Sequence, residues 1–312
     1  MNKSFNEKHG ANFLIITATI LLILLVSGVH PASAQSSIHE EDQTCVVRYP
    51  ARLNSIYPFA SYPKILLQAA IKVTENEFGN CRLVHVGGYS ELRKVTTLTK
   101  NEGIDVAWFP ASKELSEKLR HISVPIRKGM LGWRLLLTHK DKSINISQAE
   151  TLVGIQGLTL GYGADWIDLP AMQKYFPKVV MSSNADNLYQ MLAFKRFDIF
   201  PRAIHEASAE LMFYKSEFPQ LRVAPKIALY YPQADLFYVN RSNKALYNRL
   251  TKGLFILIED GTYDRLFNRY HKRYILEANL MDRNVIKLEN PNMPTDVLFD
   301  DTRLWFDPSK YD

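Results

Sequence analysis

His121-Ile122-Ser123-Val124-Pro125-Ile126-Arg127-Lys128-Gly129-Met130-Leu131-Gly132-Trp133-Arg134-Leu135-Leu136-Leu137 is the stretch that decides how the chain is divided. It has no helical period, and Pro125, Gly129 and Gly132 punctuate it, so it reads as extended backbone with turns. Strands alternating with helices stand on both sides of it. Such a segment carries the chain from one α/β lobe into another.

On its N-terminal side Cys45 to Tyr49 reads as a strand, Pro63 to Glu77 as an amphipathic helix and Cys81 to Val86 as a second strand. A turn at Gly87-Gly88, a helix from Ser90 to Lys100 and a strand from Asp105 to Phe109 complete a βαβαβ unit, which implies parallel pairing. On its C-terminal side come a strand Thr159 to Tyr162, a helix Trp166 to Tyr175 and a strand Lys178 to Ser182. A helix Ala185 to Lys195 with Asn184 as its N-cap, a strand Phe197 to Phe200 and a helix Ala203 to Tyr214 follow. Val223 to Val239 is again extended, with Pro225 and Pro232 inside it, and reads as the return crossing. A helical tract from Asn243 to Leu280 breaks at Asp260-Gly261-Thr262, and the Pro- and Asp-rich tail from Asn290 to Asp312 is expected to wrap the surface.

The expected fold class is α/β: a two-lobed clamp, each lobe a mixed, mainly parallel sheet flanked by helices, joined by two crossover segments. Residues 35–135 and 228–312 would form lobe 1 and residues 136–227 lobe 2. Two lobes joined by two crossings open and close by hinge motion.

The first residues speak to compartment. Lys3 and Lys8 precede an apolar run from Phe13 to Val26, and Ala32-Ser33-Ala34 follows, which is the grammar of a secretory signal peptide over residues 1–34 cleaved after Ala34. Periplasmic location is the expectation. The formal charge of +6 on 312 residues is mild and its charges are interspersed, which gives no case for nucleic acid. Cys45 and Cys81 are the only cysteines, and an even pair in an exported chain is a disulfide candidate, with two free buried thiols as the alternative.

With these elements in order, the chain resembles the family 3 periplasmic solute-binding proteins, the type II binding-protein fold associated with polar amino acid uptake, and within it a divergent branch from Gram-negative bacteria. The residues that carry the resemblance are Ile126 through Arg134, Gly161-Tyr162-Gly163-Ala164-Asp165-Trp166-Ile167-Asp168, Phe197-Asp198-Ile199-Phe200-Pro201-Arg202 through Glu206, and Asp260-Gly261-Thr262-Tyr263. The resemblance implies a binding clamp without catalysis. It does not name the ligand: where the family carries a carboxylate-clasping arginine after the third strand, this chain has Phe109-Pro110-Ala111-Ser112-Lys113-Glu114. Where the family places an aspartate for the ligand ammonium, this chain has Pro201-Arg202.

The expected function is capture of a small polar solute, amino-acid-like or anionic, by lobe closure, with delivery to an inner-membrane ABC permease or a sensor receptor. The alternatives are a scaffold or sensor-partner protein with a degenerate site and, third, a dehydratase-like enzyme. A monomer without cofactor is expected. Candidate ligand contacts are Tyr57, Trp108, Trp166, Arg202 and Tyr231, because loop aromatics, strand ends and helix starts converge on the cleft of such a clamp. Each has a plainer alternative: surface exposure for Tyr57, lobe packing for Trp108 and Trp166, and an Arg202–Glu206 ion pair. Arg134 suits a hinge. Glycines at 161 and 163 would let backbone amides approach an anion. His205, Glu206 and Glu210 do not complete a metal-ligand set and read as an exposed helix face, while Asp165 and Asp168 read as carboxylates favouring a helix start.

Overall fold

The structure, a computed structural model, describes residues 45–50 and 58–311. The expected signal peptide and Tyr57 lie outside the described residues. The N-terminal series runs β1 (Cys45–Pro50), α1 (Tyr62–Val73), α2 (Glu75–Phe78), β2 (Cys81–Val86), α3 (Glu91–Thr99), β3 (Val106–Pro110), α4 (Lys113–Lys118) and β4 (Arg120–His121). The second series runs β5 (Trp133–His139), α5 (Ser143–Ser147), α6 (Leu152–Gln156), β6 (Leu160–Gly163), α7 (Leu169–Gln173), β7 (Val179–Ser182), α8 (Ala185–Ala193), β8 (Phe200–Ala203) and α9 (Ile204–Tyr214). The chain closes with β9 (Leu221–Tyr230), β10 (Asp235–Val239), α10 (Lys244–Glu259), α11 (Thr262–Ala278) and β11 (Asn284–Lys287).

Helix α1 shows why these elements form. Pro63 sits in its first turn, where the missing N–H costs nothing, and Leu66, Leu67, Ala70 and Ile71 make one buried stripe. Each fully buried leucine contributes about 1.5–3 kcal/mol. Asn184 caps α8 as expected, its side chain accepting from the Asp186 N–H at 2.9 Å.

Two groups of strands carry the architecture. In the first, β1 and β2 are parallel with Cys45 opposite Cys81, and those two cysteines are joined in a disulfide. β3 lies along β1, with the Asp105 N–H donating to the Arg48 carbonyl at 2.9 Å, and β10 runs antiparallel between β3 and β4. In the second, β6 and β7 are parallel, a bridge between Leu160 and Ile199 leads towards β8, and the order β8-β5-β9-β11 continues the group. The C-terminal part of the chain therefore serves both groups, β10 in the first and β11 in the second.

The chain enters the second group through β5 and leaves it through β9, and the two connections touch. Tyr231 N–H donates to the Gly132 carbonyl at 3.2 Å. A Cβ at residue 132 would stand 2.0 Å from the Tyr231 carbonyl oxygen, so only glycine lets the crossings lie this close. One hydrophobic core runs past this point, with Tyr62, Leu66, Val106 and Phe237 at one end and Leu188, Phe200, Ile204 and Ala207 at the other.

Three local expectations change. The strand expected at Phe197 to Phe200 begins at Phe200, because the Asp198 carboxylate, rather than a ladder partner, accepts from the Thr159 N–H at 2.8 Å. The helix expected from Trp166 starts only at Leu169, where Pro170 sets its first turn and Asp168 precedes it. The tail does not merely wrap the surface: Leu304 and Phe306 are buried in the main core, and the Phe306 N–H donates to the Lys128 carbonyl at 2.7 Å. Apolar side chains in a polar tail gain by burial, and this one docks on the first crossing.

Candidate functional site

Where β5 begins, β8 and β9 end and α9 begins, the structure gathers buried charge. Arg134, on β5, donates through Nη2 to Asp168 Oδ2 at 2.7 Å. It also donates to Tyr231 Oη from Nε at 3.0 Å and from Nη2 at 2.7 Å, and Tyr231 Oη in turn donates to Asp168 Oδ2 at 2.7 Å. Asp168 thus accepts a guanidinium and a phenol rather than serving as a bare helix-start carboxylate. Tyr231 is fully buried in this triad. Burial by itself would lower the Arg134 pKa, but Tyr231, Tyr162, Asp168 and Glu206 raise it above the ordinary value.

Arg202 makes a second cluster. Its Nε and Nη2 grip Glu210 Oε2 and Oε1, both at 2.7 Å, and Nη2 also stands 3.1 Å from Glu206 Oε2. Tyr189 Oη donates to Glu210 as well. A bidentate, charge-assisted pair of this kind holds the guanidinium firmly. The Arg202–Glu206 contact weighed from sequence is present, and Glu210, two turns into α9, is the stronger partner. The polar residues of α9 are not an exposed face: His205 and Glu210 are buried. The face is covered because Arg202 lies along it and α11 packs against it.

Glu206 joins the clusters. Its Oε2 accepts from the Ala203 N–H at 3.0 Å, meets Arg202 and lies 3.8 Å from Arg134 Nη1. Arg127, in the first crossing, pairs with Asp235 of β10, and burial pushes its pKa down to about 10 against the opposing pull of Glu206 and Tyr62. Three guanidiniums, Arg127, Arg134 and Arg202, therefore face four carboxylates, Asp168, Glu206, Glu210 and Asp235. Glu206 is the most accessible of the seven, its side chain 17% exposed where each other member shows 10% or less.

Trp166 packs on this centre, and Trp108 packs on β1 and β10. Trp166 lies under the Arg202 guanidinium at 4.8 Å, edge-on to Tyr162 and stacked with Phe200. Gly163 leaves room for it, since a Cβ there would stand 2.4 Å from the indole. Gly161 and Gly163 lie within β6, where they make space for Phe197 and Trp166 rather than opening a loop to an anion. Trp108, on β3, is half-buried, stacked with Tyr49 at 6.3 Å and edge-on to Phe237 at 6.2 Å.

Beside the charges, His205 of α9 and His271 of α11 stack at 5.7 Å, with Phe59 against the first and Tyr62 and Phe267 against the second. Among the described residues, His205 Nδ1 and both His271 nitrogens are buried without a hydrogen-bond partner. Burial first, then Arg127, Arg134 and Arg202, hold His205 well below the ordinary histidine value. Burial, then His205 and Arg127, do the same to His271. Sequence reading missed this pair, because the two histidines are far apart in the chain and neither sits in a motif.

No family model matches the chain, and no curated relative does. Solved structures do match. The VFT2 domain of BvgS from Bordetella pertussis, as a double mutant, shares 20% identity over 72% of this chain and 93% of its own, with a TM-score of 0.56. A histidine kinase sensor domain with similarity to periplasmic binding proteins shares 17% over 73% and 96%, with a TM-score of 0.52. An ancestral arginine-binding protein bound to arginine shares 17% over 72% and 98%, with a TM-score of 0.51. These likenesses define the class by fold: the chain has the two-lobed, periplasmic-binding-protein-like α/β architecture. The Cys45–Cys81 disulfide fits an oxidising compartment, and among the described residues no helix is long and apolar enough to cross a membrane.

Proposed function

We propose that the chain binds a small polar solute carrying a cationic group, by closure of its two lobes and without turnover. Residues 35–135 and 228–312 would act as one lobe and residues 136–227 as the other. The observation that carries the reading is the charge at the centre of the fold: among the described residues, four carboxylates meet three guanidiniums, and the most accessible member is Glu206. A cation placed against Glu206 would neutralise that centre. Arg202 and Arg134 would hold the carboxylate in place, while Trp166 and Trp108 would supply aromatic walls. Each of the three guanidiniums is already paired with a carboxylate, which speaks against an anionic solute. After export the loaded clamp would deliver its solute to an inner-membrane importer or a sensor receptor.

The experiment is a melting-temperature screen with polyamines, arginine and other amines against dicarboxylates. The expected result is a rise with amines that Glu206→Gln removes. A rise with dicarboxylates alone would sink the cationic assignment. A second reading, a sensor-partner or scaffold protein with no solute, is favoured by the continuous core that runs across both strand groups. It predicts no response to either class.

A further inference from the structure

The disulfide lies away from this centre, at the open end of β1 and β2, and its two sulfurs stand in unlike surroundings. Cys45 is exposed, whereas Cys81 is partly buried. Arg249, reaching from α10, donates through Nη1 to Cys81 Sγ at 2.9 Å. The same guanidinium is buried and fixed by four further contacts, to Thr74 Oγ1 at 3.1 Å and to the carbonyls of Phe78 at 3.2 Å, Ile71 at 3.1 Å and Gly79 at 2.7 Å. Burial lowers the Arg249 pKa from its ordinary value, and Glu75 opposes that shift.

A neutral disulfide sulfur is a weak acceptor, but a thiolate facing a guanidinium gains a charge-assisted bond. Arg249 is thus worth more to the reduced state than to the oxidised one, and it acts on Cys81 alone. From this asymmetry we infer that Cys45–Cys81 is an exchangeable disulfide with a fixed polarity. A thiolate of an external dithiol attacks the exposed Cys45 Sγ. The new sulfur–sulfur bond forms there as the Cys45–Cys81 bond breaks, and its electron pair leaves on Cys81 Sγ, which Arg249 holds as the thiolate. The second thiol of the dithiol then displaces Cys45, which takes up a proton from water, and the dithiol departs as its own disulfide. A leaving sulfur of low pKa speeds such exchange.

Two measurements test this. First, the intact protein is treated briefly with glutathione, alkylated and mapped by mass spectrometry. The mixed disulfide belongs on Cys45 and the alkyl group on Cys81; glutathione on Cys81, or equal amounts on both, overturns the polarity. Second, Cys81 is titrated as the single thiol of Cys45→Ser by thiolate absorbance. A midpoint below about 7.5, the range of cysteines beside a cation, is expected, and one above it overturns the role of Arg249. Arg249→Lys, which keeps the charge, should keep the low midpoint, and Arg249→Met should raise it about tenfold in proton concentration or more. The mapping needs no substitution, so it decides the matter even where a variant fails to fold.

Discussion

The buried histidine pair makes a quantitative prediction about acid. In the unfolded chain His205 and His271 bind protons with the ordinary pKa of about 6.5. In the folded chain both are held well below that by burial first, then by Arg127, Arg134 and Arg202 at His205 and by His205 and Arg127 at His271. The unfolded state therefore binds more protons in mild acid, so the stability these groups permit is complete above about pH 6.5 and is lost as pH falls below it. Between pH 7.0 and pH 5.5 the loss is about 1.3 kcal/mol for each histidine, about 2.5 kcal/mol for the pair. The assay is urea unfolding followed by tryptophan fluorescence at both pH values, for the wild type and for His205→Leu/His271→Leu. His121 and His139, whose pKa values are also lowered, chiefly by burial, stay in both proteins and cancel in the comparison. The wild type should lose about 2.5 kcal/mol more than the variant on acidification. An equal loss in both would mean that the pair titrates normally in the folded protein, and the reasoning from burial would be refuted.

Other perturbations follow from the same contacts. Tyr231→Phe removes one hydroxyl from the Arg134–Asp168 triad and should cost about 1–3 kcal/mol in urea unfolding, with the fold kept. Glu210→Leu removes the bidentate partner of the buried Arg202 guanidinium, leaving only its single contact with Glu206, and should cost about 3–5 kcal/mol, while Arg202→Met/Glu210→Leu should recover much of that in the same assay. Gly132→Ala forces the two crossings apart and should cost about 1–3 kcal/mol or more, read as a lower thermal midpoint. Cys45→Ser/Cys81→Ser opens a loop whose ends are 36 residues apart and should lower stability by about 4 kcal/mol in denaturant titration.

How much of this was legible beforehand depends on the distance over which each feature is decided. Strand β2, the N-cap Asn184 and the break at Gly261 are local, and period, capping chemistry and turn residues place them correctly. The fold class follows, because two series of strands and helices around an extended crossing leave few architectures. The site is different. Arg202 is visible in the sequence and so is Glu206 one turn on, but the tighter partner is Glu210, because the guanidinium lies along the helix instead of across its first turn. Arg134 meets Asp168, and Arg127 meets Asp235, only after distant segments are brought together, and no pattern in the chain pairs them. His205 reads as part of a polar helix face for the same reason: a buried histidine looks, in sequence, like an exposed one. The physical consequence bears on function. Charges that would have been assigned to a ligand are used inside the fold, where each guanidinium of the cluster is paired and Glu206 is the most accessible carboxylate.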